Sequence, residues 1–138
     1  MKFSPFNNVV KLCLQGMNME EAGKPEAACT LFLQGWNEAT NDFEKFLAAH
    51  YVARHQKTAA EKLHWLETTL QFALKVDDDA VKSAFPSLYW DMAKCYEDLN
   101  NHNKAKEYSD LAISSKYSVS DKVHFITGRK QICRLVIC

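Results

Sequence analysis

Five histidines and five cysteines are the residues best suited to metal binding or covalent chemistry in this chain. His50 and His55 are five apart, so on a helix they diverge rather than converge. His64 has Glu61 and Glu67 within helical reach, with no second His or Cys at ligand spacing. A metal needs three or four convergent ligands, so these histidines read as surface or half-buried side chains and no metal is expected. Cys13, Cys29 and Cys95 lie among helix-forming residues without the base and orienting group that a nucleophile needs, and they read as packing residues. The cysteines are odd in number, scattered and never in a Cys-x-x-Cys pair, as expected of reduced thiols in a cytoplasmic protein. No glycine-rich loop follows a strand, so no phosphate cradle or dinucleotide fingerprint is present. The expectation is a chain with no catalytic residues and no cofactor.

Composition narrows the partners. Four of the seventeen basic residues, Lys122, Arg129, Lys130 and Arg134, follow Asp121, and no acidic residue does. The chain up to Asp121 therefore carries thirteen basic against seventeen acidic residues, a net charge of −4. An acidic body argues against nucleic acid, which requires a basic face for its phosphates. The N-terminal apolar residues Val9, Val10, Leu12 and Leu14 are interrupted by Lys11, so neither a signal peptide nor a membrane span is expected. With 138 residues, four Gly and three Pro, the chain suits one helix-rich domain.

Six helical segments are expected. The first runs from about Asn8 to Ala22 and stops at Gly23; the second starts at Pro25, a residue pre-set for a first helical turn. The third follows Asp42 as N-cap, with Phe43, Phe46, Leu47 and Tyr51 at helical spacing. Thr58 and Glu61 match a capping box at the start of the fourth. Asp77-Asp78-Asp79 can cap the fifth, which Pro86 kinks or restarts and which runs to Leu99. Asn100 to Asn103 is a turn, and the sixth helix spans about Lys104 to Ser115.

Helices joined by short turns form antiparallel hairpins. Gly16, Met19, Ala28 and Gly35 recur as Ala93, Tyr96, Ala105 and Ala112 at one constant offset, and Leu12 pairs with Tyr89 at the same offset. Small residues let the two helices of a hairpin approach, and the bulky one fills the space between hairpins. This pattern resembles the tetratricopeptide repeat over roughly residues 8 to 116. It is strongest from Ala93 to Ala112, weaker in the first hairpin, where Met19 replaces an aromatic, and lost from Asp42 to Lys75. The resemblance implies an all-α fold of three stacked antiparallel helical hairpins in a right-handed solenoid covering residues 1–120.

Such scaffolds bind along the face made by the first helix of each hairpin. Aligned on the repeat, Cys13, Met17 and Glu20 should face the groove from the first hairpin, and Ser87, Trp90, Lys94 and Glu97 from the third. Trp90 can act as a binding anchor or pack against the middle hairpin. The Lys and Asn residues with which one subset of the family clamps a peptide carboxylate are replaced here by Cys13, Met17, Ser87 and Asp91, so that clamp is not expected.

From residue 121 the sequence changes character. Val123 to Cys138 is basic, apolar and rich in β-branched residues, and it continues no helical period. Residues 121–138 are expected to form a poorly ordered or non-native tail. One DNA that encodes these residues, with a single G restored after the Lys122 codon, reads instead GPFYHGTKADLQVGDL. That string resembles the opening segment of the rifamycin-inactivating ADP-ribosyltransferases. The resemblance implies a helical N-terminal extension of an enzyme whose catalytic domain is lost after a frameshift. None of that family's catalytic residues carries over, and His124 and Thr127 are not its His and Thr.

The function expected is therefore that of a soluble, non-catalytic scaffold binding an unknown protein or peptide, with no nucleic-acid or membrane partner, as a monomer or weak dimer. The alternatives are an accessory domain of a rifamycin ADP-ribosyltransferase and a self-associating structural module.

Overall fold

A computed structural model describes Ser4 and residues 6–123, with side chains assigned as far as Ser115. It divides into two compact units, Met1–Val76 and Asp77–Cys138. All regular structure among the described residues is helical.

The first unit holds four helices: α1 (Asn8–Glu21), α2 (Pro25–Glu38), α3 (Asp42–Ala53) and α4 (Ala59–Ala73). Helix α1 packs along α2, and α3 packs along α4 and α2, with α1 also touching α3. Asn7 caps α1 by accepting from the Val10 amide at 3.0 Å. At the far end Gly23 adopts φ +76°, and the Lys24 amide donates to the Met19 carbonyl at 2.8 Å. The Gly23 amide donates to the Glu20 carbonyl at 3.0 Å, completing a Schellman turn. Pro25 opens α2 as expected.

Asn41, not Asp42, caps α3. Its backbone is extended, its side chain accepts from the Glu44 amide at 2.9 Å, and Asp42 becomes the first helical residue. Either side chain could cap, and the backbone conformation selects Asn41. Thr58 caps α4 by accepting from the Glu61 amide at 3.1 Å. Helix α3 is the most buried helix of this unit. Phe46, Leu47, Ala48, Ala49, Tyr51 and Val52 are all fully enclosed.

The second unit contains α5 (Asp79–Lys82), α6 (Phe85–Asp98) and α7 (His102–Val123). Asp78 caps the single turn α5 through the Ala80 amide. Pro86 lies in the first turn of α6, so the fifth helix expected from sequence is a short turn followed by a restarted helix. Helix α6 ends as α1 does: Asn100 takes φ +60°, and the Asn101 and Asn100 amides donate to the Tyr96 and Glu97 carbonyls at 2.8 and 3.0 Å. Gly23 and Asn100 are related by the same offset as the small-residue series. The sixth expected helix starts two residues early, because Asn101 caps it through the Lys104 amide at 3.2 Å. Helix α7 packs along α6 with Ala105 and Ala112 buried. Tyr108 lies between Tyr89 and Tyr96, with centroids at 6.0 and 5.2 Å. Residues 121–123 of the segment expected as a tail carry helical backbone, and the rest of it, residues 124–138, lies outside the described residues.

Candidate functional site

The residues expected to face a groove lie on α1 in the first unit and on α6 in the second. On α6, Trp90, Lys94 and Glu97 follow helical spacing and all three are exposed, Trp90 by 39 %. The Glu97 carboxylate pairs with His102 Nδ1 at 3.2 Å across the α6–α7 turn. Ser87, expected on the same face, is buried. Asp91, half-buried, follows Trp90 directly.

On α1, Met17 and Glu20 are half-buried, one turn apart. Cys13 does not reach the surface as expected: it is fully enclosed, and burial pushes its thiol up to about 12. Helix α1 is covered by both α2 and α3, and this wider contact takes in the Cys13 position. A thiol so strongly held in the protonated form is a poor nucleophile.

Glu20 is engaged. Its Oε1 accepts from Arg54 Nη1 at 2.9 Å and its Oε2 faces His55 Nε2 at 2.6 Å. Both partners follow directly after α3. A second carboxylate joins the opposite ends of the same two helices. Glu44, in the first turn of α3, accepts from Asn7 Nδ2 at 2.8 Å, the Thr40 amide at 2.9 Å and Thr40 Oγ1 at 3.2 Å. Burial alone would raise its pKa, but the hydrogen bonds from Thr40 and Asn7 outweigh this and hold it below the usual glutamate value. N-terminus is thus tied to N-terminus and C-terminus to C-terminus, so α1 and α3 run parallel.

Two further histidines among the described residues, His50 and His64, lie against aromatic rings. His50 packs between the Phe46 and Tyr51 rings, and desolvation first, then the Arg54 charge, lowers it to about 3. It is therefore neutral at physiological pH. His64 is exposed against the edge of Trp65. Among the described residues no three His, Cys, Asp or Glu side chains converge in a metal-binding arrangement. No helix of the described residues is long and apolar enough to cross a membrane.

An aromatic cluster that sequence inspection did not single out spans α2 and α4. Trp36 meets Trp65 edge-on at 5.2 Å and Phe72 at 6.1 Å. Lys45 lies 4.3 Å over Trp36 and Lys75 lies 5.2 Å over Phe72. These lysines cover rings that would otherwise face water. The spacing of Trp65 and Phe72 along α4 was legible, but their convergence on Trp36 depends on how α2 and α4 meet.

Comparison of the chain with known protein families, curated proteins and solved structures finds no match.

Proposed function

We propose that the chain is a non-catalytic helical-repeat scaffold that binds a protein or peptide in the cytoplasm, with a tetratricopeptide-like arrangement of its hairpins. The observation that carries this reading is the Trp90-Lys94-Glu97 strip, where a partly exposed ring is followed along one helix face by two exposed charged side chains. Aromatic side chains held in such positions dominate the energetics of many interfaces. The matched Schellman turns after α1 and α6 support a repeated helix-turn-helix unit. The thiol of Cys13 is enclosed, and half-buried His50 is held neutral between the Phe46 and Tyr51 rings, which favours recognition over catalysis.

The test is affinity capture from native cytosol with the full chain and with Trp90→Ala. A partner that binds the parent and is lost with Trp90→Ala, while the circular dichroism spectrum is unchanged, supports the reading. A partner set indifferent to Trp90 refutes this site.

A second reading rests on the tail. The string obtained by a one-base shift after Lys122 makes the helical part an accessory domain of a rifamycin ADP-ribosyltransferase. The gene tests it directly. One added base near the Lys122 codon should open a frame of enzyme length beginning GPFYHGTKADLQVGDL. If the actual codons for Val123 to Cys138 do not yield that string, the reading fails and the scaffold reading stands. On either reading the chain by itself transfers no ADP-ribose to rifampicin, and such transfer by the purified chain would overturn both.

A further inference from the structure

Glu20 stands at an unfavourable end of its helix. It occupies the last turn of α1 beside Glu21, where the helix carries partial negative charge and no basic residue of that turn offsets it. The groups that hold its carboxylate, Arg54 and His55, come from the end of α3, where the same dipole favours cations. Each of them is also seated without help from Glu20. His55 stacks on Phe32 with centroids 5.7 Å apart and planes 26° apart, and the Arg54 guanidinium lies 4.8 Å over Tyr51. Phe32 and Tyr51 are fully buried and stack on each other at 5.1 Å. The guanidinium and the imidazole are therefore positioned by core rings, and the Glu20 carboxylate is the less favoured member of the cluster. Solvent reaches all three side chains, with 34 % of Arg54, 18 % of His55 and 22 % of Glu20 exposed.

We infer that Arg54 and His55 form a carboxylate-binding site, that Glu20 is its resident occupant, and that a carboxylate on a bound peptide exchanges for it. The inference rests on the scaffold reading and names the chemistry of its ligand. The guanidinium takes one oxygen and the imidazole the other, a two-point geometry that matches a carboxylate. On exchange Glu20 swings into water, and the incoming group accepts the same two bonds without sitting at the negative end of α1. Met17, one turn before Glu20, offers apolar surface to the residue that carries the ligand carboxylate. A peptide C-terminus and an Asp or Glu side chain share this chemistry.

The experiment follows the His55 ring signals by NMR in the full chain, in the parent, Glu20→Ala and Glu20→Ala/Arg54→Gln. Each is titrated with sodium acetate, with N-acetyl-trialanine bearing a free carboxyl terminus, with its amide, and with N-acetyl-aspartyl amide, at ionic strength matched with chloride. Glu20→Ala should bind acetate saturably and up to about fivefold more tightly than the parent, in which the Glu20 carboxylate competes for the site. The free-carboxylate peptide or the aspartyl amide should bind as well, the tighter of the two naming the source, and the trialanine amide should not. Arg54→Gln should abolish saturation. An unsaturable response in a folded Glu20→Ala chain, or equal affinity in parent and variant, overturns the inference. So does binding of the trialanine amide as tightly as the free carboxylate. Should Glu20→Ala fail to fold, Glu20→Gln keeps the shape and removes the charge, and the same criteria apply to it. Loss of the inference together with Trp90-dependent partner capture would leave the scaffold reading in place.

Discussion

Gly16 and Gly35 look equivalent in sequence, each a small residue inside a helix, yet alanine should act oppositely at the two. A Cβ at Gly16 would fall on Cε1, Cδ1 and Cζ of the Phe32 ring. That ring cannot retreat, because it is fully buried and stacked between Tyr51 and His55. Alanine gains about 1 kcal/mol of helix propensity over glycine. Overpacking an enclosed ring costs toward the upper part of the usual ~1–3 kcal/mol range. Gly16→Ala should thus lose roughly 2 kcal/mol net. At Gly35 the new methyl would meet Val9 Cγ1 at 3.7 Å, Leu12 Cβ at 3.8 Å and Ala48 Cβ at 3.9 Å, which are ordinary contacts. Gly35→Ala should gain about 1 kcal/mol. For a unit of this size that is a fall in Tm of about 8–16 °C for the first and a rise of about 4–8 °C for the second. The melts are read by tryptophan fluorescence in a Trp90→Phe background, where Trp36 and Trp65 report on the first unit alone. Adding Phe32→Leu to Gly16→Ala should cost at least about 1 kcal/mol less than Phe32→Leu alone. A Gly16→Ala chain that melts at or above the parent would show that the α1–α2 approach is not limited by this ring.

Glu44→Ala should cost about 2 kcal/mol, because it leaves Asn7 Nδ2 and the Thr40 amide without their charged acceptor. Since the folded pKa of Glu44 lies below its ordinary value of 4.5, its stabilisation is complete above that pH and is lost as pH falls through the folded value, so the gap between parent and Glu44→Gln in urea melts should narrow as pH falls below 4.5. Cys13 and Cys95 should resist iodoacetamide in the native chain while half-exposed Cys29 reacts, as peptide mapping would show; early labelling of Cys13 would contradict its enclosure. Ala93→Leu and Ala105→Leu should each destabilise the second unit by roughly 1–3 kcal/mol, since both methyl groups are buried; thermal melts equal to the parent would invalidate the repeat register.

Local rules made most of the helices legible. Pro25, Thr58 and the aspartate run act on residues within one turn of themselves, so their effect is visible without knowing the fold. The same locality explains the misplacement at α3, where adjacent Asn41 and Asp42 offer equal caps and only the backbone angle separates them. The site was less accessible. Spacing placed Trp90, Lys94 and Glu97 on one strip, because that depends on a single helix. It could not pair Glu20 with Arg54 and His55, thirty-four and thirty-five residues away. Cys13 carried two expectations, a packing residue and a groove contact, and what decides for packing is how much of α1 its neighbours cover.

The two carboxylate brackets between α1 and α3 show why long-range pairs differ in role even when their chemistry is alike. Glu44 is only 9 % exposed and gathers acceptor bonds from a side chain of one helix cap and from the backbone of another. Removing it strands donors in a poorly solvated place, so it fixes the register in which the helices meet. Glu20 is more open, and its partners are held by rings that remain in place when the carboxylate leaves. Exposed ion pairs of this kind contribute about 0–1 kcal/mol, too little to lock the helices together. The parallel packing of α1 and α3 therefore depends on the Glu44 end and on the apolar core, which leaves the Glu20 end able to open without unfolding the unit.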